Sequence, residues 1–223
     1  GSSVHYRDAP LQGEIAFAFA GAGASYASMG RDLLLQFPEL MTHLAARSQR
    51  LATALEWTLD ANAGQPTAQQ QLWGASALSQ LHLAFSEQIL GLRADAWLGY
   101  SSGETNALVA AGVWNDPDAL MEEMEQSGLI DRYLGGQFET VSAQWKQAVQ
   151  WASWTVLAPV ATVRAAIQDL PLVHLAIINS DQHCLLAGDG AQCRVLVQRI
   201  GAALCQELIY PLAVHVPELS AVS

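Results

Sequence analysis

Apolar and polar positions change period several times along this chain, and each change marks an element. Residues 14–20 (EIAFAFA) form an apolar run of strand length, and GAGAS follows at 21–25. Helical spacing starts near Met29 and extends to about residue 49, with a break at Pro38, whose ring removes an amide donor. A second helix covers roughly 50–60, and ANAGQPT at 61–67 is a loop. From about 68 to 91, Leu72, Ala75, Leu78, Leu81 and Phe85 fall on one stripe, which predicts a long helix. A short apolar run, Ala96-Trp97-Leu98, then enters Gly99-Tyr100-Ser101-Ser102-Gly103, and helical spacing resumes up to Gly112. Asn115 or Asp116 can cap a further helix with Pro117 in its first position, and Gly128 ends it near Ser127. Another helix covers about 137–152.

The rhythm differs between 153 and 210. Residues 154–158 are strand-like, 159–169 helix-like, 173–178 and 184–187 strand-like around NSDQH, 191–202 helical, and 203–209 extended. The order is β-α-β-β-α-β, the split pattern of a ferredoxin-like unit. It predicts a subdomain over 153–210 inserted into a core made of 1–152 and 211–223. The fold class is α/β.

Composition narrows the function classes. With 223 residues, 51% of them hydrophobic, the chain can bury one sizeable core beside a small subdomain. No window approaches the ~18 consecutive apolar residues of a membrane span. The net charge is −11 and Lys146 is the sole lysine, which argues against nucleic-acid binding because phosphate neutralisation needs clustered cations. Three cysteines (Cys184, Cys193, Cys205) without a CxxC pair point to a reducing, cytoplasmic setting. No Cys/His pair has ligand spacing, so no metal is expected. Gly1-Ser2-Ser3 reads as a remnant of cloning and not a signal peptide.

The strand–turn–helix at 96–112 carries the candidate chemistry. A serine hydroxyl attacks only if a base takes its proton and its oxygen is held clear. A sharp turn at the end of a strand holds it clear, and glycines at 99 and 103 remove side chains that would collide with the turn. Ser101 is centred between them, and Ser102 is the rival by proximity. The amide of Ser102, at a helix N-terminus, is a ready donor to an oxyanion. Of the histidines, His5 lies beside the opening remnant, His43 and His82 fall on helices, and His174 and His183 belong to the subdomain. His215, in LAVHVPEL, follows the subdomain where the chain returns to the core, and is the candidate base.

Three blocks resemble the acyltransferase domain of fatty-acid and polyketide synthases, the malonyl-transacylase family. FAFAGAGASYASMGRDLLLQFPEL (17–40) is similar to the family's FxFPGQGSQ block, and GYSSGETNALVAAGVW (99–114) to GHSxGExxALxAAG. INSDQHCLLAGD (178–189) with LAVHVPEL (212–219) resembles its VNSP and histidine blocks. The resemblance implies an α/β-hydrolase-like core with a parallel sheet and an inserted ferredoxin-like subdomain. It implies Ser101 as nucleophile, His215 as base, backbone N–H groups of Ala22 and Ser102 as oxyanion donors, and Asn179 near the substrate pocket. It implies a ping-pong transfer from an acyl-CoA or acyl-carrier-protein thioester to an acyl carrier protein, without a cofactor, beside neighbouring domains of a megasynthase. It also implies that the core continues beyond residue 223, so that the C-terminal part of the core is missing and apolar sheet surface is left uncovered.

The departures redirect the substrate. Ala22 replaces the family's glutamine, and Tyr100 replaces the histidine before the nucleophile. Malonyl users carry an arginine about 25 residues after the serine to pair with the free carboxylate. Here Gln126 or Ser127 stands there, and neither supplies the charge. The expected cargo is therefore a non-dicarboxylic acyl group. SSGETNALVAAGVW with ALMEEMEQSGLIDRYLGGQFETV is most similar to the second acyltransferase of polyunsaturated-fatty-acid synthases. The alternatives are an acyl-thioester hydrolase using the same pair, and a catalytically silent structural domain. No membrane or nucleic-acid partner is expected.

Overall fold

The computed structural model describes residues 6–9, 11–26, 28–60, 64 and 66–221. His5 and the opening Gly1-Ser2-Ser3 lie outside the described residues, as does much of the 61–67 loop. The architecture is α/β, with a two-stranded parallel sheet and a four-stranded antiparallel one.

Strand β1 (Ala16–Phe19) is shorter than the apolar run that predicts it, and a 3-10 turn at Ala22–Ala24 follows. The helix expected over 29–49 is two, α1 (Arg31–Gln36) and α2 (Glu39–Arg47), parted at Phe37-Pro38 as the proline dictates. The segment 50–60 is also two short helices, α3 (Gln49–Thr53) and α4 (Glu56–Leu59). Helix α5 (Ala68–Ala84) starts from a complete capping box, Thr67 with Gln70, and loosens into a π turn at Phe85–Ile89. Leu40, Leu44, Leu51, Leu55, Leu72 and Leu81 interlock from these helices into one buried cluster.

Strand β2 (Ala96–Gly99) pairs in parallel with β1, Ala16 opposite Ala96 through Phe19 opposite Gly99. Trp97 and Leu98 are exposed on it. Helix α6 (Gly103–Ala110) follows, then α7 (Pro117–Ser127), whose cap is Asp116, accepting the Ala119 amide at 2.9 Å. Gly128 ends α7 in the left-handed region, and a π turn (Leu129–Leu134) follows. Helix α8 is shorter than expected, Glu139–Trp145, because Trp151 already belongs to the next strand, opposite Asp189.

The elements from 151 onward run β3 (Trp151–Val156), α9 (Val160–Ala166), β4 (Val173–Ser180), β5 (His183–Asp189), α10 (Gly190–Ile200) and β6 (Cys205–Glu207). Their order is the β-α-β-β-α-β order read from the sequence, with two residues more at its start. The strands lie in the order β4-β5-β3-β6, each pair antiparallel. Alternation gives the sheet two faces. Val156, Cys184 and Leu186 pack with Val163, Cys193 and Leu196 of the helices. Ser153, Thr155, Leu185 and Ala187 face the other way, toward a cavity described below. Burial pushes the Cys193 thiol up to about 12, so it stays protonated and packs as a small apolar group. No described helix is long and apolar enough to cross a membrane.

Asp189 caps α10 by accepting the amides of Ala191 and Gln192 at 3.1 and 3.0 Å. Asp189→Ala should therefore cost about 1 kcal/mol, read as a lower denaturation midpoint with an unchanged denaturant slope. An unchanged midpoint would show that the cap adds nothing.

Candidate active site

Parallel pairing of β1 with β2 lays the two turns that leave their C-terminal ends side by side. In the second turn the chain reverses within three residues between Gly99 and Gly103. The Gly103 amide donates to Tyr100 O and the Glu104 amide to Ser101 O, each at 2.9 Å. A side chain at 99 would bring its Cβ within 2.3 Å of the Glu104 backbone, and one at 103 within 2.1 Å of Phe19 O. Both glycines are thus required by the close approach of helix to strands. Ser101 takes φ 55°, a left-handed conformation that costs a serine about 1–3 kcal/mol. The turn after β1 presses on this bend, since a Cβ at Gly21 would lie 2.9 Å from Tyr100 O and 3.3 Å from Ser101 Cβ.

His215 reaches the bend from the other end of the chain. Leu212, Ala213 and Val216 are buried around it, and the Ala213 amide donates to Leu134 O at 2.7 Å. His215 itself has φ 59°, which turns its ring out of this anchored stretch. Ser101 Oγ and His215 Nε2 lie 2.9 Å apart. Among the described residues, His215 Nδ1 forms no hydrogen bond.

Three residues further on, Glu218 pins the stretch. It is buried, and its Oε1 accepts from Trp145 Nε1 at 2.7 Å and meets His174 Nε2 at 2.8 Å. Its backbone oxygen accepts from the Gln144 side-chain Nε2 at 2.6 Å. Burial alone would raise the Glu218 carboxyl, but hydrogen bonds from Trp145, the local backbone and His174 outweigh it and hold the group below the usual carboxylate range.

A cavity of about 450 Å³ opens between the bend and the four-stranded sheet. Ala22, Tyr100, Ser101, Asn179 and His215 line it, as do sheet residues that the sequence did not single out, notably Thr155 and Leu185. His183 also lines it, its Nε2 2.8 Å from Thr155 Oγ1. Leu208, Tyr210, Leu212 and Val214 complete an apolar wall. Burial raises the Tyr210 phenol, so it stays neutral. No lysine or arginine is among the described lining residues. The only earlier signal for the sheet residues was the alternation of β3 and β5. A larger, more polar hollow of about 1050 Å³ beside α3, α4 and α5 contains neither Ser101 nor His215.

Two expected pocket residues are elsewhere. Gln126 and Ser127 do not line the cavity: both are exposed, Gln126 donating to Glu122 at 2.9 Å and Ser127 to Met124 O at 2.8 Å. Helix α7 buries Met121 and turns these positions to solvent. The expected oxyanion donors differ in state. The Ala22 amide already donates to Ser102 Oγ at 2.9 Å, while the Ser102 amide has no acceptor among the described residues. Among the described residues no three His, Cys, Asp or Glu side chains converge as a metal site would require.

No protein-family model matches the chain. The structure is similar to the acyltransferase domain of the polyketide synthase PpsC of Mycobacterium tuberculosis, with a TM-score of 0.72 and 22% identity over 94% of this chain and 61% of that one. It is similar to the malonyl-CoA:acyl carrier protein transacylase of Xanthomonas oryzae pv. oryzae, with a TM-score of 0.70 and 24% identity over 92% and 65%. A type II polyketide synthase acyl-carrier protein in complex with its malonyl-transacylase also matches, at 0.62 and 23% over 92% and 64%. In sequence the chain is 34% identical over 143 residues to the highly reducing polyketide synthase easB of Emericella nidulans, covering 60% of this chain and 6% of that protein. It is 25% identical over 206 residues to the pikromycin synthase component PikAIII of Streptomyces venezuelae, covering 90% and 12%. The chain thus has the fold of polyketide synthase acyltransferase domains and of malonyl-CoA:acyl carrier protein transacylases, and spans under two thirds of each of these proteins.

The Glu218 anchor has a pH signature. The folded chain holds fewer protons at this carboxyl than the unfolded chain does. Its contribution to stability is complete above the unfolded value, about 4.3, and is lost as pH falls through the lower folded one. Glu218→Gln should flatten the acid limb of a stability-against-pH profile below about pH 5. Superimposable profiles would show that the group titrates like an exposed carboxylate.

Proposed function

We propose that the chain is an acyltransferase of a fatty-acid or polyketide synthase that carries a non-dicarboxylic acyl group on Ser101 and hands it to an acyl carrier protein. The observation that carries this reading is the 2.9 Å contact between Ser101 Oγ and His215 Nε2 in the wall of a mostly apolar cavity. His215 Nε2 takes the hydroxyl proton as Oγ bonds to the thioester carbonyl carbon. The negative charge moves onto the carbonyl oxygen, toward the free Ser102 amide at the start of α6. The C–S bond then breaks, the sulfur leaves with the proton held by His215, and the acyl group stays on Oγ. In the second half, His215 takes the proton of the incoming carrier thiol as its sulfur bonds to the acyl carbon. The C–Oγ bond then breaks, and Ser101 Oγ leaves with the proton returned from His215.

The absence of cations from the described lining supports the substrate class. A malonyl carboxylate seated there would be desolvated without a partner, at a cost of several kcal/mol. The likeness to a transacylase complexed with its carrier protein supports the partner. In this reading, 153–210 is a ferredoxin-like unit on an α/β-hydrolase-like core, and the cargo is of the kind handled by the second acyltransferase of polyunsaturated-fatty-acid synthases.

The test is intact mass after incubation with acetyl-, octanoyl- and malonyl-CoA. Acetyl or octanoyl adducts should form at least ~100-fold faster than malonyl, the equivalent of about 3 kcal/mol. Ser101→Ala should lose the adduct and Ser102→Ala keep it. Preferential malonyl loading would overturn the substrate class, and no adduct at any chain length would favour a structural domain. With a holo carrier protein added, acyl-carrier product should outpace free acid, and the reverse order would make the protein a hydrolase.

A further inference from the structure

The two amides expected to face the developing oxyanion are not equally free. We propose that the Ser102 hydroxyl holds one of them in the resting protein and so acts as a built-in brake on acylation of Ser101. This rests on the reading of Ser101 as the nucleophile.

The geometry is local and specific. Ser102 follows the nucleophile directly and stands at the N-cap of α6, where its side chain makes no capping bond. Its Oγ instead accepts the Ala22 amide, 2.9 Å away and 80 positions earlier in the chain. The same oxygen lies 3.4 Å from where a Gly21 side chain would begin, so the turn after β1 is seated against it. Ala22 lines the cavity beside Ser101, and its amide is already engaged by this hydroxyl. A single N–H makes one strong bond. For the Ala22 amide to serve the carbonyl oxygen of a bound thioester, it must first leave the Ser102 hydroxyl, which then turns to water. No covalent bond changes in this exchange. One protein–protein hydrogen bond is traded for one to the oxyanion, and the barrier to acylation carries the loss.

Removing the hydroxyl while keeping the Ser102 amide should therefore speed the first chemical step. The size is that of one net hydrogen bond, about 2- to 10-fold in rate. A hydroxyl that merely braced the elbow would give the opposite sign on removal.

The experiment measures the second-order rate of fluorophosphonate labelling of the full chain by intact mass, in the parent protein, Ser102→Ala and Ser102→Gly. The phosphoryl oxygen of this probe has to occupy the oxyanion position. Both variants should label about 2- to 10-fold faster, with the same pH midpoint as the parent because the base is unchanged. Two substitutions guard against a folding defect in either one, and thermal melts identify it. Labelling of the parent with no acceleration in the folded variants, or a shifted midpoint, overturns the brake and leaves the nucleophile in place. No labelling of the parent beyond that of Ser101→Ala overturns the nucleophile and the brake together.

Discussion

Gly103 stands where a methyl group would lie 2.1 Å from the carbonyl oxygen of Phe19. That contact fixes how near α6 comes to the β1–β2 pair, and everything at the site follows from it. Only with the helix drawn this close does the bend at Ser101 tighten into its left-handed conformation and lift Oγ away from the strands. The same approach seats the turn after β1 on the bend, through Gly21. Two elements separated by 80 positions thus share one surface, and the hydrogen bond between Ala22 and Ser102 crosses it.

The four-stranded sheet serves the site by having two unlike faces. One is closed by α9 and α10 over fully buried Val156, Cys184 and Leu186. The other is left to form the cavity wall, with Thr155 and His183 hydrogen-bonded to each other within it. The chain then returns through Leu212 and Ala213, and Glu218 ties that return to α8 and β4. A buried carboxylate three residues past the imidazole makes the position of His215 a property of packed structure and not of a free tail.

Much of this was legible in the residue order. The glycines around Ser101 announce a tight strand-to-helix turn because few other residues survive such an approach. The period change near residue 153 announces the β-α-β-β-α-β order because side-chain alternation and helical spacing leave different traces. What could not be read depends on rotation and on distant partners. Gln126 and Ser127 occupy the sequence position of a pocket residue, but the phase of α7, set by Met121 packing inward, turns them to solvent. Thr155 and His183 look like any half-buried strand residues until the sheet's open face is known. The capture of the Ala22 amide by Ser102 leaves no trace in either local sequence. The helix expected over 50–60 is instead two short ones, and Leu51 and Leu55 from this stretch join the same buried cluster as Leu40.

The central claim is that an imidazole contributed 114 positions later takes the proton of Ser101. The most direct measurement is the rate of Ser101 acylation in His215→Ala, with and without free imidazole in the buffer. The account predicts a fall of about 10²- to 10⁴-fold, with part of the rate restored by imidazole in proportion to its concentration. A His215→Ala protein that acylates Ser101 at the parent rate and ignores added imidazole would contradict it.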